Sequence, residues 1–127
     1  MESQPSSCRC GAGEKSRIIY ACAGIGSNVG QLANAAACQL AREGFGIGSC
    51  LAGVGGGIEK LVSAAKEADE RVVIDGCPVA CARKIFEDKG LAADRYVMIT
   101  DLGITKIPGP AFADRDLATV VAAVRQG

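Results

Sequence analysis

The chain has seven cysteines and no histidine in 127 residues. The absence of histidine removes Ser-His-Asp triads, Cys-His nucleophile pairs and mixed Cys/His zinc sites. A cysteine excess in a reducing compartment points instead to metal binding or thiol chemistry. Cys22 closes the apolar run Ile18-Ile19-Tyr20-Ala21-Cys22, Cys50 lies near the end of Ile47-Gly48-Ser49-Cys50-Leu51, and Cys77 follows Arg71-Val72-Val73-Ile74-Asp75. They are spaced 28 and 27 residues apart. If each run is a strand of one parallel sheet, all three lie along its carboxyl edge, where α/β proteins bind ligands. Asp101 takes the matching place after a fourth run, Tyr96-Val97-Met98-Ile99-Thr100.

A fourth thiol comes from Cys81. With Cys77 capping a helix that has Pro78 at its first position, Cys81 lies one turn on, with Cβ atoms about 5–6 Å apart. Two thiolates on one metal are reachable at that spacing, whereas a disulfide needs a closer approach. A helix N-terminus also favours thiolate over thiol. The expected site is therefore Cys22, Cys50, Cys77 and Cys81 around a soft cation, with N–H groups of glycine-rich turns offsetting its negative charge.

The elements that must place these thiols are legible in the hydrophobic pattern. Helical spacing covers Asn28 to about Glu43, with Val29, Leu32, Ala33, Ala36 and Leu40 on one face, Asn28 as cap and Gly44 as stop. A second helix, Ile58 to about Glu67, buries Ile58, Leu61, Val62 and Ala65, and a third runs from Cys77-Pro78 to about Gly90. A last helix carries Leu117, Val120, Val121 and Val124 on one side. Strand and helix alternate four times, which predicts a single three-layer α/β domain on a mainly parallel four-stranded sheet, spanning 17–127. Residues 1–16, rich in Ser, Gly and charge, read as a flexible arm carrying Cys8 and Cys10. Cys38, mid-helix among alanines, reads as a small core residue.

Several motifs resemble a known family. Ile74-Asp75-Gly76-Cys77-Pro78-Val79-Ala80-Cys81 is similar to the signature of the small prokaryotic DGC-domain proteins, described as zinc-binding. So are Tyr20-Ala21-Cys22 with Ser27-Asn28-Val29-Gly30, Cys50-Leu51-Ala52-Gly53-Val54-Gly55-Gly56-Gly57 and Thr100-Asp101-Leu102-Gly103. The resemblance covers roughly residues 17–107. It implies a Zn²⁺ held by Cys22, Cys50, Cys77 and Cys81, the same four that strand register selects, and it implies no reaction.

Other chemistries fit less of the pattern. Four thiolates also hold iron–sulfur clusters, but this spread spacing matches neither compact ferredoxin pattern. A thiol–disulfide oxidoreductase using Cys77 and Cys81 is the leading enzymatic alternative, with Cys-x-x-x-Cys in place of Cys-x-x-Cys. Cys77 to Arg83 has the Cys-x5-Arg spacing of cysteine phosphatases, yet the intervening residues contain no glycine and read as helix. Gly24-Ile25-Gly26-Ser27-Asn28-Val29-Gly30 approaches a dinucleotide fingerprint, but its third glycine is one residue late and Cys50 stands where the acid belongs. Gly53 to Gly57 reads as a tight turn without the Gly-Lys-Ser/Thr of a P-loop.

Fourteen basic residues balance fourteen acidic ones, which excludes the bulk electrostatics of a non-specific nucleic-acid binder or polybasic membrane anchor. No apolar run approaches the roughly 18 residues of a membrane span, and Met1 to Ser7 is polar, unlike a signal peptide. The expected location is cytoplasmic and the expected partner a metal ion; nothing in the chain points to a protein partner.

Overall fold

The computed structural model describes residues 16–127; Cys8, Cys10 and nearly all of the expected arm lie outside the described residues. Four short strands form an all-parallel sheet in the order β2-β1-β3-β4. Strand β1 (Arg17–Ala21) and β3 (Glu70–Asp75) lie at the centre, rich in the β-branched residues that suit a sheet covered on both faces. Strand β4 (Arg95–Met98) borders β3 on one side. Strand β2 (Ile47–Gly48) borders β1 on the other and is only two residues long, with Gly46 and Gly48 weakening it.

Helices cover both faces. Helix α1 (Asn28–Arg42) and α5 (Asp114–Gln126) pack on one side, where Val29, Leu32, Ala36, Leu40, Val120 and Val124 meet Ile19, Val72, Ile74 and Val97. Helices α2 (Leu51–Gly55), α3 (Glu59–Glu67) and α4 (Cys81–Asp88) lie on the other. There Tyr20 meets the Phe86 ring edge-on, with ring centroids 4.9 Å apart. This is the expected three-layer α/β arrangement, filled almost wholly by aliphatic side chains. A 3-10 turn, Ile99–Leu102, follows β4.

Several boundaries differ from the sequence expectation, each for a local reason. Ser27, not Asn28, caps α1: its backbone is extended and its hydroxyl accepts from Gly30 N. Gly53 to Gly57 is not simply a tight turn and the second strand does not reach Leu51, because Cys50 caps a short helix α2 that takes in Leu51 to Gly55. Ile58 is an exposed cap to α3 and not a core residue. Helix α4 starts at Cys81, since Cys77-Pro78-Val79-Ala80 closes a turn through Ala80 N to Cys77 O, 2.9 Å, and Ala80 adopts a left-handed conformation. Cys77 and Cys81 therefore do not share a helix face. Gly44, at φ +81°, ends α1 as expected.

Candidate metal centre at the carboxyl edge

The sheet order creates a topological switch. Strand β1 leads into α1 on one face and its neighbour β3 leads into α4 on the other, so a crevice opens between their carboxyl ends. Cys22 directly follows β1 and Cys77 lies two residues past β3. Cys22 touches the cores on both faces, sitting at the seam where they meet. Its own N–H extends the sheet ladder to Ile74 O at 3.1 Å. Cys50 stands two residues beyond β2, and Cys81 opens α4. Cys22 and Cys77 are half-buried, whereas Cys50 and Cys81 are exposed.

Two glycines let the loops approach. A Cβ on Gly30 would lie 2.2 Å from Gly24 O, and one on Gly76 would lie 2.8 Å from the Val29 carbonyl. No real Cβ tolerates such contacts, so the first turn of α1 presses against the loops that carry Cys22 and Cys77. Backbone strain falls in the same place. Ala23, next to Cys22, and Ala80, next to Cys81, are the non-glycine residues with positive φ among the described residues, both at +54°. That conformation costs an L-residue about 1–2 kcal/mol and tends to cluster at functional sites.

Asp75, almost fully buried at the end of β3, holds Cys81 in place. Its carboxylate accepts from Ala82 N (2.8 Å) and Arg83 N (3.0 Å), the free N–H groups of α4's first turn, and from the Tyr96 hydroxyl at 2.8 Å. A carboxylate at a helix N-terminus is favoured by both the hydrogen bonds and the dipole. Burial, together with the hydrogen bond to Asp75 and its charge, pushes the Tyr96 phenol far above its ordinary range. Those interactions leave no anion cradle: Asp75 already occupies the N–H groups a phosphate would take, and the Arg83 guanidinium lies over the Tyr96 ring. The Cys-x5-Arg spacing is therefore not a phosphate loop here, although Cys77 to Ala80 form a turn and only Cys81 to Arg83 the expected helix.

The sulfurs are supplied with donors. Burial pushes the Cys22 thiol up; N–H groups of Gly24 and Gly76 partly counter this, while the charges of Asp75 and Cys81 add to it. Gly53 N donates to Cys50 Sγ at 3.4 Å. Lys106 Nζ donates to Cys77 Sγ at 3.4 Å. Lys106 is brought there by a staple: the Asn28 amide bonds Thr105 O (2.9 Å) and Ile107 N (2.7 Å), and Gly109 N reaches Gly26 O (3.0 Å). The sequence reading missed both Lys106 and the capping role of Asp75. Lys106 had no local signal; Asp75 had one, an acid ending an otherwise apolar strand.

The four expected thiols border two adjoining clefts. One, about 300 Å³, is lined by Cys22, Cys77, Cys81 and Lys106 among others. The other, about 560 Å³, is lined by Cys22, Cys50 and Cys81. Cys22 and Cys81 are common to both. Among the described residues no three His, Cys, Asp or Glu side chains stand in a ready-made metal-holding group. Asp101 is exposed on the 3-10 turn and lines neither cleft. Cys38 is exposed, contrary to its expected place in the core, and it lines the larger cleft. No helix among the described residues is long and apolar enough to cross a membrane.

Comparison with known proteins agrees with the family resemblance. The family model of the DGC domain matches residues 18–124. A curated relative, the anaerobic and virulence modulator AnvM of Pseudomonas aeruginosa, is 35% identical over 89 residues, covering 70% of this chain and 67% of the relative. No solved structure matches. With nearly all of the ordered sheet-and-helix core inside the matched span, the chain belongs to the DGC-domain family.

Proposed function

We propose that the protein binds one Zn²⁺ through Cys22, Cys50, Cys77 and Cys81 at the carboxyl edge of the sheet, in a structural or metal-handling role. The observation that carries this reading is the pair of clefts sharing Cys22 and Cys81, with Cys77 on one and Cys50 on the other. The donor set suits a thiophilic cation. The sulfurs also have what a charged thiolate cluster needs nearby: the N–H groups of Gly24, Gly76 and Gly53, and the Lys106 ammonium. A bound zinc supplies a cross-link between loops; with four protein ligands it has no open position for a substrate. Cys50 and Cys81 are exposed and Cys22 and Cys77 half-buried, and metal binding would be coupled to local ordering of the loops that carry them.

Asp75 fixes the backbone at Cys81, and the Gly30–Gly24 and Gly76–Val29 contacts fix that at Cys22 and Cys77. A reducing, cytoplasmic setting follows from the requirement that the thiols stay unpaired.

A second reading, dithiol oxidoreductase, is favoured by one observation: Cys77 and Cys81 line the same cleft with Lys106 against the Cys77 sulfur. Protein purified without a histidine tag separates these readings. One zinc per chain, no absorption near about 400 nm, and thiols that become titratable only on denaturation support the first. A metal-free protein cycling between dithiol and disulfide supports the second, and a brown one indicates an iron–sulfur cluster.

A further inference from the structure

Helix α4 begins where its own sequence does little to start it. Its cap, Ala80, is left-handed at φ +54° and has no side chain to bond the first turn. Asp75 supplies that bonding from outside the helix, through Ala82 N and Arg83 N. The place of Cys81, the first residue of α4, therefore depends on how one carboxylate is held. Asp75 also stands two residues before Cys77, so it ties the turn that carries Cys77 to the helix that carries Cys81. Unlike Glu70, Asp75 has no ion pair among the described residues, and its one side-chain partner there is the Tyr96 hydroxyl, 2.8 Å from Oδ2. Tyr96 comes from β4, where its ring packs against the second core and faces the Arg83 guanidinium. The ring thus has supports of its own, and the hydroxyl serves Asp75.

We infer that Tyr96 is a positioning residue for the four-cysteine site: its hydroxyl fixes the Asp75 carboxylate, and through it the place of Cys81 relative to Cys77. This rests on the metal-binding reading above. Tyr96 is not a ligand; it acts at one remove, as the hydrogen-bond partners behind metal ligands commonly do. Here the path runs through the backbone, because Asp75 bonds the two N–H groups directly after Cys81. Without the hydroxyl Asp75 is one bond short and its side chain freer to turn. The first turn of α4 then frays at the residue that must meet the cation. A tyrosine kept only for its ring predicts no change at Cys81 when the ring is retained.

Tyr96→Phe keeps the ring and removes only the hydroxyl. Two measurements on the full chain test it: backbone amide exchange in the reduced, metal-free protein, and zinc affinity in competition with a chromophoric chelator. Exchange at Ala82 and Arg83 is expected to quicken several-fold relative to Phe86, inside the same helix, and zinc affinity to fall about tenfold. Glu70→Gln weakens the far end of β3 and controls for general loss of stability. It should change neither the exchange of Ala82 relative to Phe86 nor the zinc affinity. Unchanged exchange at Ala82 and Arg83 in Tyr96→Phe overturns the positioning role, as does faster exchange there with wild-type zinc affinity. Both results leave the four-cysteine site standing. A uniform rise across α4 overturns the role too, by making the hydroxyl a matter of overall stability. Wild-type protein that takes up no zinc overturns both readings.

Discussion

The two ends of β3 each bury an acid, and they satisfy it in opposite ways. At the amino end Glu70 is gripped by two guanidinium groups, Arg17 Nε at 2.7 Å and Arg95 Nε at 3.0 Å. Both arginines also bind backbone carbonyls, of Phe45 and Val124, and lie over the Phe45 ring. Rigid forks close that edge, each arginine bonding both Glu70 and a backbone carbonyl. At the carboxyl end Asp75 is satisfied by two N–H groups and a phenol. Around it are thiols, two alanines at positive φ, and open clefts. One edge is built to hold the sheet together; the other spends strain and cavity space on positioning sulfur.

That contrast makes ranked predictions. The largest loss is expected for Asp75→Ala, about 4 kcal/mol in denaturant unfolding, because three hydrogen bonds to one buried carboxylate disappear together. Asp75→Asn keeps an acceptor and should lose less. Next, Gly30→Ala forces a methyl into a backbone carbonyl and should cost about 3 kcal/mol. Gly26→Ala, on the loop just before α1 with open space around it, is the control and should cost far less. Equal losses would show that the close approach at Cys22 does not matter.

At the opposite edge Glu70→Gln should cost about 2 kcal/mol near neutral pH. Burial alone would raise the Glu70 carboxyl, but Arg17 and Arg95 outweigh it and hold it below the ordinary value. Its contribution is therefore complete above the unfolded value of about 4.3 and fades as pH falls through the lower folded value. The gap between wild type and Glu70→Gln should narrow with acid over that window; a constant gap would mean the ion pairs contribute nothing. The smallest effect is expected for Ala23→Gly, a gain of under about 1 kcal/mol, since relief of the left-handed conformation exceeds the added chain entropy. Ala33→Gly, inside α1, should instead lose at least about 1 kcal/mol.

The same two edges show what a sequence discloses. Periodicity located β1, β3, β4, α1 and α5, because burial on a continuous apolar face leaves a regular trace. The family resemblance and the strand-end placement of Cys22 and Cys77 were legible for the same reason. What escaped depended on contacts between distant segments. Lys106 reaches Cys77 only because Asn28 clamps the 105–107 backbone. Helix α4 starts late because Asp75, six residues before it, captures its first turn. Cys38 looked like core among its alanines, yet it is exposed and borders the larger cleft.

X-ray absorption at the zinc edge of protein isolated without a tag tests the central proposal most directly. The account predicts one zinc per chain with a shell of four sulfur atoms at about 2.3 Å, reduced in sulfur count by Ser at Cys22, Cys50, Cys77 or Cys81. A metal-free chain, or a zinc whose shell is nitrogen and oxygen and ignores those substitutions, would contradict it.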